Sequence, residues 1–185
     1  MIRIKKIGHV LLRVADLERS KAFYRDVLGF KIAEEDPNHG RDVFMTLGDD
    51  FHNIDLVQHK SPATVQHPTA AQVGLGHVAF LVDSYEALAE SYRTLIDHGV
   101  EIQRAIDHVN QRSFYFLDPD GNRLEIYYEI PGSLQRFANG RGDRDDVLPV
   151  SRPGEPLPAW LSESWPPAEE RAAARSTREA SLRKD

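Results

Sequence analysis

Along residues 8–25, "GHVLLRVADLERSKAFYR", apolar side chains first fall on alternate positions and then take up helical spacing. The alternation of Val10, Leu12 and Val14 predicts a strand with one buried face. Leu17, Ala22, Phe23 and Leu28 predict a helix with an apolar stripe. The same change of period recurs at 76–93, "GHVAFLVDSYEALAESYR", with Val78, Phe80 and Val82 followed by Leu88, Tyr92, Leu95 and Ile96. Asp16 and Ser84 stand where an N-cap belongs, and Gly29 and Gly99 where a helix releases the chain through a left-handed residue. Short strand patterns follow in each half: 30–35, 42–47 and 53–58, then 100–106, 112–117 and 123–130. The "DPDGN" at 118–122 predicts a tight turn before the last strand.

The two segments are copies of one pattern. Laid over each other at an offset of 68 (77 − 9), they are identical at seven of eighteen positions. Each half therefore reads β-α-β-β-β, and the fold class is α+β: two tandem βαβββ modules whose sheets, placed side by side, are expected to share a concave face. Module 1 covers about 1–60 and module 2 about 72–130, joined by the polar connector "HKSPATVQHPTAAQ" at 59–72. From 131 the composition changes. Seven of the eleven prolines and both tryptophans lie in 131–185. Trp160, Trp165, Leu157 and Leu161 need apolar surface, so this extension is expected to pack as an arm on the body or on a second subunit. A homodimer is one outcome this leaves open. The closing "AEERAAARSTREASLRK" favours a solvated helix or fraying.

Composition narrows the classes. With 29 acidic against 23 basic residues the net charge is −6, and the basic residues are scattered, which argues against a nucleic-acid partner. No cysteine is present, so disulfides, thiolate metal sites and a cysteine nucleophile are excluded, as suits a reducing cytoplasm. Apolar runs such as "VAFLV" are too short to span a membrane, and the N-terminal "IRIKKIGHVLLRV" lacks a leader pattern.

Face parity then selects the chemistry. If Val10, Leu12 and Val14 meet the helix, His9 points the other way, and so do His77, Glu125, Tyr127, Asn53, Asp55 and Tyr115 by the same rule. Two neutral imidazoles and a carboxylate with open positions form the ligand set of non-haem Fe(II) oxygen chemistry, although Mn²⁺, Zn²⁺ and Ni²⁺ accept the same donors.

These residues carry a resemblance. "IGHVLLRVADLERSKAFYRDVLGF", "LGHVAFLV" and "FYFLDPDGNRLEIYY" resemble the vicinal oxygen chelate (glyoxalase/bleomycin resistance/dioxygenase) superfamily over about 1–130. The resemblance implies His9, His77 and Glu125 as metal ligands. "FHNIDL" at 51–56 and "DHVNQRSFYF" at 107–116 are similar to segments of the type I extradiol ring-cleaving dioxygenases, which implies His52 as acid–base and His108 and Tyr115 as partners of the bound oxygens. Such enzymes often carry two module pairs, and this chain has one. The implied reaction is cleavage of a small catechol, dihydroxyphenylalanine-like, by O₂ with Fe²⁺ (Mn²⁺ also suits). His39, His59, His67 and His98 read as loop or helix-end residues, and Arg13, Arg112 or Arg123 could bind a substrate carboxylate. The rival reading is a lyase, isomerase or transferase of the glyoxalase or fosfomycin-resistance kind, in which Asp55 would be a fourth ligand. A third class, a drug-binding protein using the same cleft, typically lacks the ligands this chain has.

Overall fold

The computed structural model describes residues 1–38, 40–69, 71, 73–141 and 145–166. Two units make up the chain: residues 1–74 with the turn 117–122, and residues 75–116 with 123 onward.

In the first unit, β1 (Val10–Val14), α1 (Leu17–Ala22), β2 (Lys31–Glu35), β3 (Asp42–Thr46) and β4 (Ile54–Gln58) give the predicted βαβββ order. The sheet runs β1-β4-β3-β2, with β1 parallel to β4 and the other pairs antiparallel. A parallel pair cannot be closed by a hairpin, and the helical crossover supplies the connection. Leu12, Val14, Val43, Met45, Ile54 and Leu56 are buried, together with Leu17, Tyr24 and Phe30. Asp16 caps α1 by accepting from the Arg19 amide at 3.0 Å.

The helical stripe differs from expectation. After Ala22 the helix widens into a π turn over Phe23–Val27, and Gly29 ends it at φ +79°. Leu17, Ser20 and Tyr24 are buried, whereas Ala22, Phe23 and Leu28 are only half-buried. Polar anchors explain the rotation. The Tyr24 hydroxyl donates to Asp118 at 3.0 Å and the Ser20 hydroxyl to Asp120 at 2.6 Å. Asp120 also accepts from the Ala15 amide at 2.8 Å and from Arg19 at 2.9 Å. Burial raises the Asp118 carboxyl above its usual value.

In the second unit, β5 (Val78–Leu81), α2 (Tyr85–Asp97), β6 (Arg104–Asp107), β7 (Gln111–Leu117) and β8 (Arg123–Glu129) repeat the pattern, with β5 parallel to β8. Ser84 caps α2 through the Ala87 amide, and Leu88, Tyr92, Leu95 and Ile96 are buried as expected. Val78, Phe80 and Val82 are only half-buried.

The extension packs on this unit. α3 (Ser133–Arg136) is followed by β9 (Asp146–Leu148), which pairs antiparallel with β6 and covers the sheet's far edge. Trp160, Leu161 and Trp165 are buried, and the Trp160 indole N–H donates to the Pro149 carbonyl at 2.8 Å. Arg112 lies beside the Tyr85–Trp165 ring pair, its guanidinium 5.7 and 5.3 Å from their ring centres, and donates to Asp107 at 2.7 Å and to Glu163 at 3.2 Å. The expectation that Arg112 could bind a substrate carboxylate is therefore corrected. It shares strand parity with Phe114 and Phe116, so it faces the arm and is consumed there. The helix expected at 168–184 and His39 lie outside the described residues.

Asp120→Ala should lower unfolding free energy by about 2–3 kcal/mol, because it strands the buried Ser20 hydroxyl and an amide. Trp160→Ala should cost about 3–5 kcal/mol, while Leu134→Ala, at an exposed site, should leave stability unchanged. Urea unfolding of the three variants checks both.

Candidate functional site

Parallel pairing positions the first cluster. In the β1–β4 register Leu11 sits beside Asp55, so His9, two residues earlier, shares the face of that carboxylate. The Asp55 side chain is buried, 3.5 Å from His9 Nε2 and 2.7 Å from His52 Nδ1. The His9 and His52 rings lie 4.3 Å apart, and Phe44 meets His52 edge-on at 5.2 Å. The short Asp55–His52 approach lacks the alignment of a hydrogen bond. Both His52 Nδ1 and Asp55 Oδ1 are buried without a hydrogen-bond partner. In the tautomer that leaves Nδ1 bare, the imidazole nitrogen and the carboxylate oxygen each bring a lone pair, and a cation between them would satisfy both. The donor atoms of His9, His52 and Asp55 all lie within 4.8 Å of one another. Nitrogen and oxygen ligands bind divalent ions at about 2.0–2.2 Å, so small side-chain rotations suffice. These residues could hold a divalent metal.

The second unit repeats the device with different company. Ala79 pairs with Glu125, and His77 again stands two residues earlier. The buried Glu125 places Oε2 2.9 Å from His77 Nε2. Its other oxygen accepts from the Tyr115 hydroxyl at 2.9 Å and from Gln111 at 3.5 Å. Burial, with the Glu125 charge adding to it, holds the Tyr115 phenol above its ordinary value. His108 Nε2 is 3.3 Å from the Tyr115 oxygen, and its Nδ1 is 2.8 Å from Asp145. Hydrogen bonds from His108 and then Arg141 hold the Asp145 carboxyl below the usual range.

The residues expected from sequence thus fall into two groups. His9 and His52 meet around Asp55; His77, Glu125, Tyr115 and His108 form one connected chain. Gln111 was overlooked, although it shares the parity of Tyr115 in β7. Asp145 had no local signal, because it lies in the extension 37 residues from His108. The other described histidines have structural partners. His59 accepts from the Ser61 amide, His67 donates to the Asp120 carbonyl, and His98 closes α2 on the Thr94 carbonyl. Among the described residues no helix is long and apolar enough to cross a membrane.

Residues 6–126 match the model of the Glyoxalase/Bleomycin resistance protein/Dioxygenase superfamily. A catechol-2,3-dioxygenase of Bacillus subtilis is 33% identical over 72% of this chain, which spans 45% of that longer relative. Biphenyl-2,3-diol 1,2-dioxygenase 3 of Rhodococcus globerulus is 31% identical, covering 77% of this chain and 75% of its own. Lactoylglutathione lyase of Haemophilus influenzae is 30% identical over 65% of this chain and 90% of its own. A glyoxalase/dioxygenase structure from Nostoc punctiforme shares the fold, with a TM-score of 0.57 at 23% identity over 68% of this chain and 91% of its own. With its paired βαβββ units and a histidine–carboxylate pair at the same register in each, the chain belongs to the glyoxalase/bleomycin resistance/dioxygenase (vicinal oxygen chelate) superfamily.

Proposed function

We propose that this chain is a metal-dependent dioxygenase that opens the ring of a small catechol beside its diol. The supporting observation is the chain of hydrogen bonds that runs from Glu125 through Tyr115 to His108. The half-buried Tyr115 phenol and the His108 imidazole bring proton-carrying groups beside that carboxylate, which ring opening needs. The likeness to two dioxygenases that act, by name, on catechol and on a biphenyl diol favours the same reading. His9, His77 and Glu125 are the proposed ligands, within a catalytic body of residues 1–130. Ferrous iron, when bound, would hold both catechol oxygens and dioxygen and carry electrons between them.

The protein's own groups do the rest. His52 is the proposed acid–base that takes a proton from a catechol hydroxyl and returns one as the ring opens. Its position against Asp55 leaves Nε2 for that exchange. Tyr115 donates to Glu125 and orients that carboxylate. Both atoms of O₂ enter the product, a ring-opened semialdehyde acid.

A second reading is favoured by one specific observation. Asp55 occupies in β4 the register that Glu125 occupies in β8, and its Oδ1 is buried without a hydrogen-bond partner. As a fourth ligand it would fill the coordination that oxygen chemistry leaves open. A lyase, isomerase or transferase would then fit, as the likeness to a lactoylglutathione lyase also suggests.

Addition of Mn²⁺ or Fe²⁺ to metal-free protein should raise its melting temperature, by about 2.7 kcal/mol of stability at a hundredfold excess over Kd. Glu125→Ala and His77→Ala should abolish that shift, and His52→Ala should keep it. In the dioxygenase reading, protein loaded anaerobically with Fe²⁺ takes up oxygen and yields a yellow product from some member of a catechol panel. His52→Ala then loses about 10²- to 10⁴-fold in turnover, and Asp55→Ala still binds iron. Absence of oxygen uptake, with conversion of a thiol adduct and loss of metal in Asp55→Ala, would establish the second reading instead.

A further inference from the structure

We propose that Asp145, in the C-terminal extension, is a positioning residue of the active site, acting through His108 on Tyr115. The proposal deepens the dioxygenase reading and rests on it for the role of Tyr115. It makes the extension part of the site rather than only a cover for the sheet edge.

Proton accounting carries the argument. An ionised carboxylate only accepts, so the 2.8 Å contact requires a hydrogen on His108 Nδ1. That leaves Nε2 facing the Tyr115 oxygen at 3.3 Å. In the neutral ring that Nε2 is an acceptor, so the single hydroxyl hydrogen of Tyr115 has two acceptors in reach, Glu125 at 2.9 Å and His108 Nε2 at 3.3 Å. Without Asp145, the ring is free to carry its hydrogen on Nε2 alone or to turn away. With Asp145, Nε2 is held as an acceptor that draws on the same Tyr115 hydrogen as Glu125. A carboxylate behind a histidine fixes tautomer and ring orientation in this way.

The surroundings hold both ends of the contact. Arg141 donates to Asp145 at 2.7 Å and to the His108 carbonyl at 3.2 Å, bracing the pair from the extension side. On the other side, Val109 adopts φ +73°, an unfavourable conformation for a β-branched residue. Its amide donates to Asp107, and the His108 amide donates to the Gln111 carbonyl. The β6–β7 turn thus spends backbone strain on holding His108 where Asp145 reaches it.

The test reads the ring itself in the metal-free protein, by long-range ¹H–¹⁵N spectra of His108. Wild type and Asp145→Asn, which keeps an acceptor oxygen, should show a protonated Nδ1. Asp145→Ala should show an unprotonated Nδ1, with melting temperature unchanged because Asp145 is exposed. With Fe²⁺ and a turned-over catechol, Asp145→Ala should lose about 10- to 100-fold in kcat with KM within about twofold, and Asp145→Asn should recover most of it. An Nδ1 resonance unmoved by Asp145→Ala, or a kcat equal to wild type, overturns the proposal. If wild type opens no catechol, the dioxygenase reading fails, and an unmoved resonance still overturns the part assigned to Asp145 on its own.

Discussion

Parallel pairing between the first and last strands of each module governs what this protein can do. It obliges the chain to cross over by a helix, which buries one face of the sheet. On the other face it brings a histidine from just before the first strand next to an acid from near the start of the last. His9 with Asp55 and His77 with Glu125 are the two products of that rule, at one register. Both acids are buried, and a buried carboxylate needs a partner to be tolerable.

The two modules meet that need differently, and the difference is chemical. Glu125 is satisfied from within the protein, by the Tyr115 hydroxyl and Gln111 with His108 behind them. Asp55 faces imidazoles, and one of its oxygens has no hydrogen-bond donor. In one half the carboxylate is therefore held in place by hydrogen bonds. The other is a set of lone pairs that a cation would relieve. A repeated scaffold thus presents two unlike halves, and the dioxygenase and lyase readings use Asp55 differently.

Beyond the repeat, polar anchors in apolar surroundings decide the details. Asp118 and Asp120 turn α1 so that Tyr24 and Ser20, rather than Phe23 and Leu28, are buried. Arg112, beside the paired rings of Tyr85 and Trp165, ties the extension to the second unit through Asp107 and Glu163. That arm closes the β6 edge and brings Asp145 to His108.

Much of this was legible in the linear chain. Period-two and helical spacing gave the strands and helices, because a side chain's face follows from its position alone. The duplicated "GHV" placed His9 and His77 at equivalent strand starts, and parity put Asp55, Tyr115 and Glu125 on their face. Three things were not legible. The bulge in α1 came from carboxylates in a turn about a hundred residues on. Arg112 looked free for a ligand until the arm covered it. Asp145 carried no pattern at all. Periodicity reports how a residue sits on its own element, and so the sequence by itself determined the modules and the face of each candidate ligand. Which polar groups from distant elements arrive opposite that face depends on packing between segments remote along the chain, and only the tertiary structure decided it.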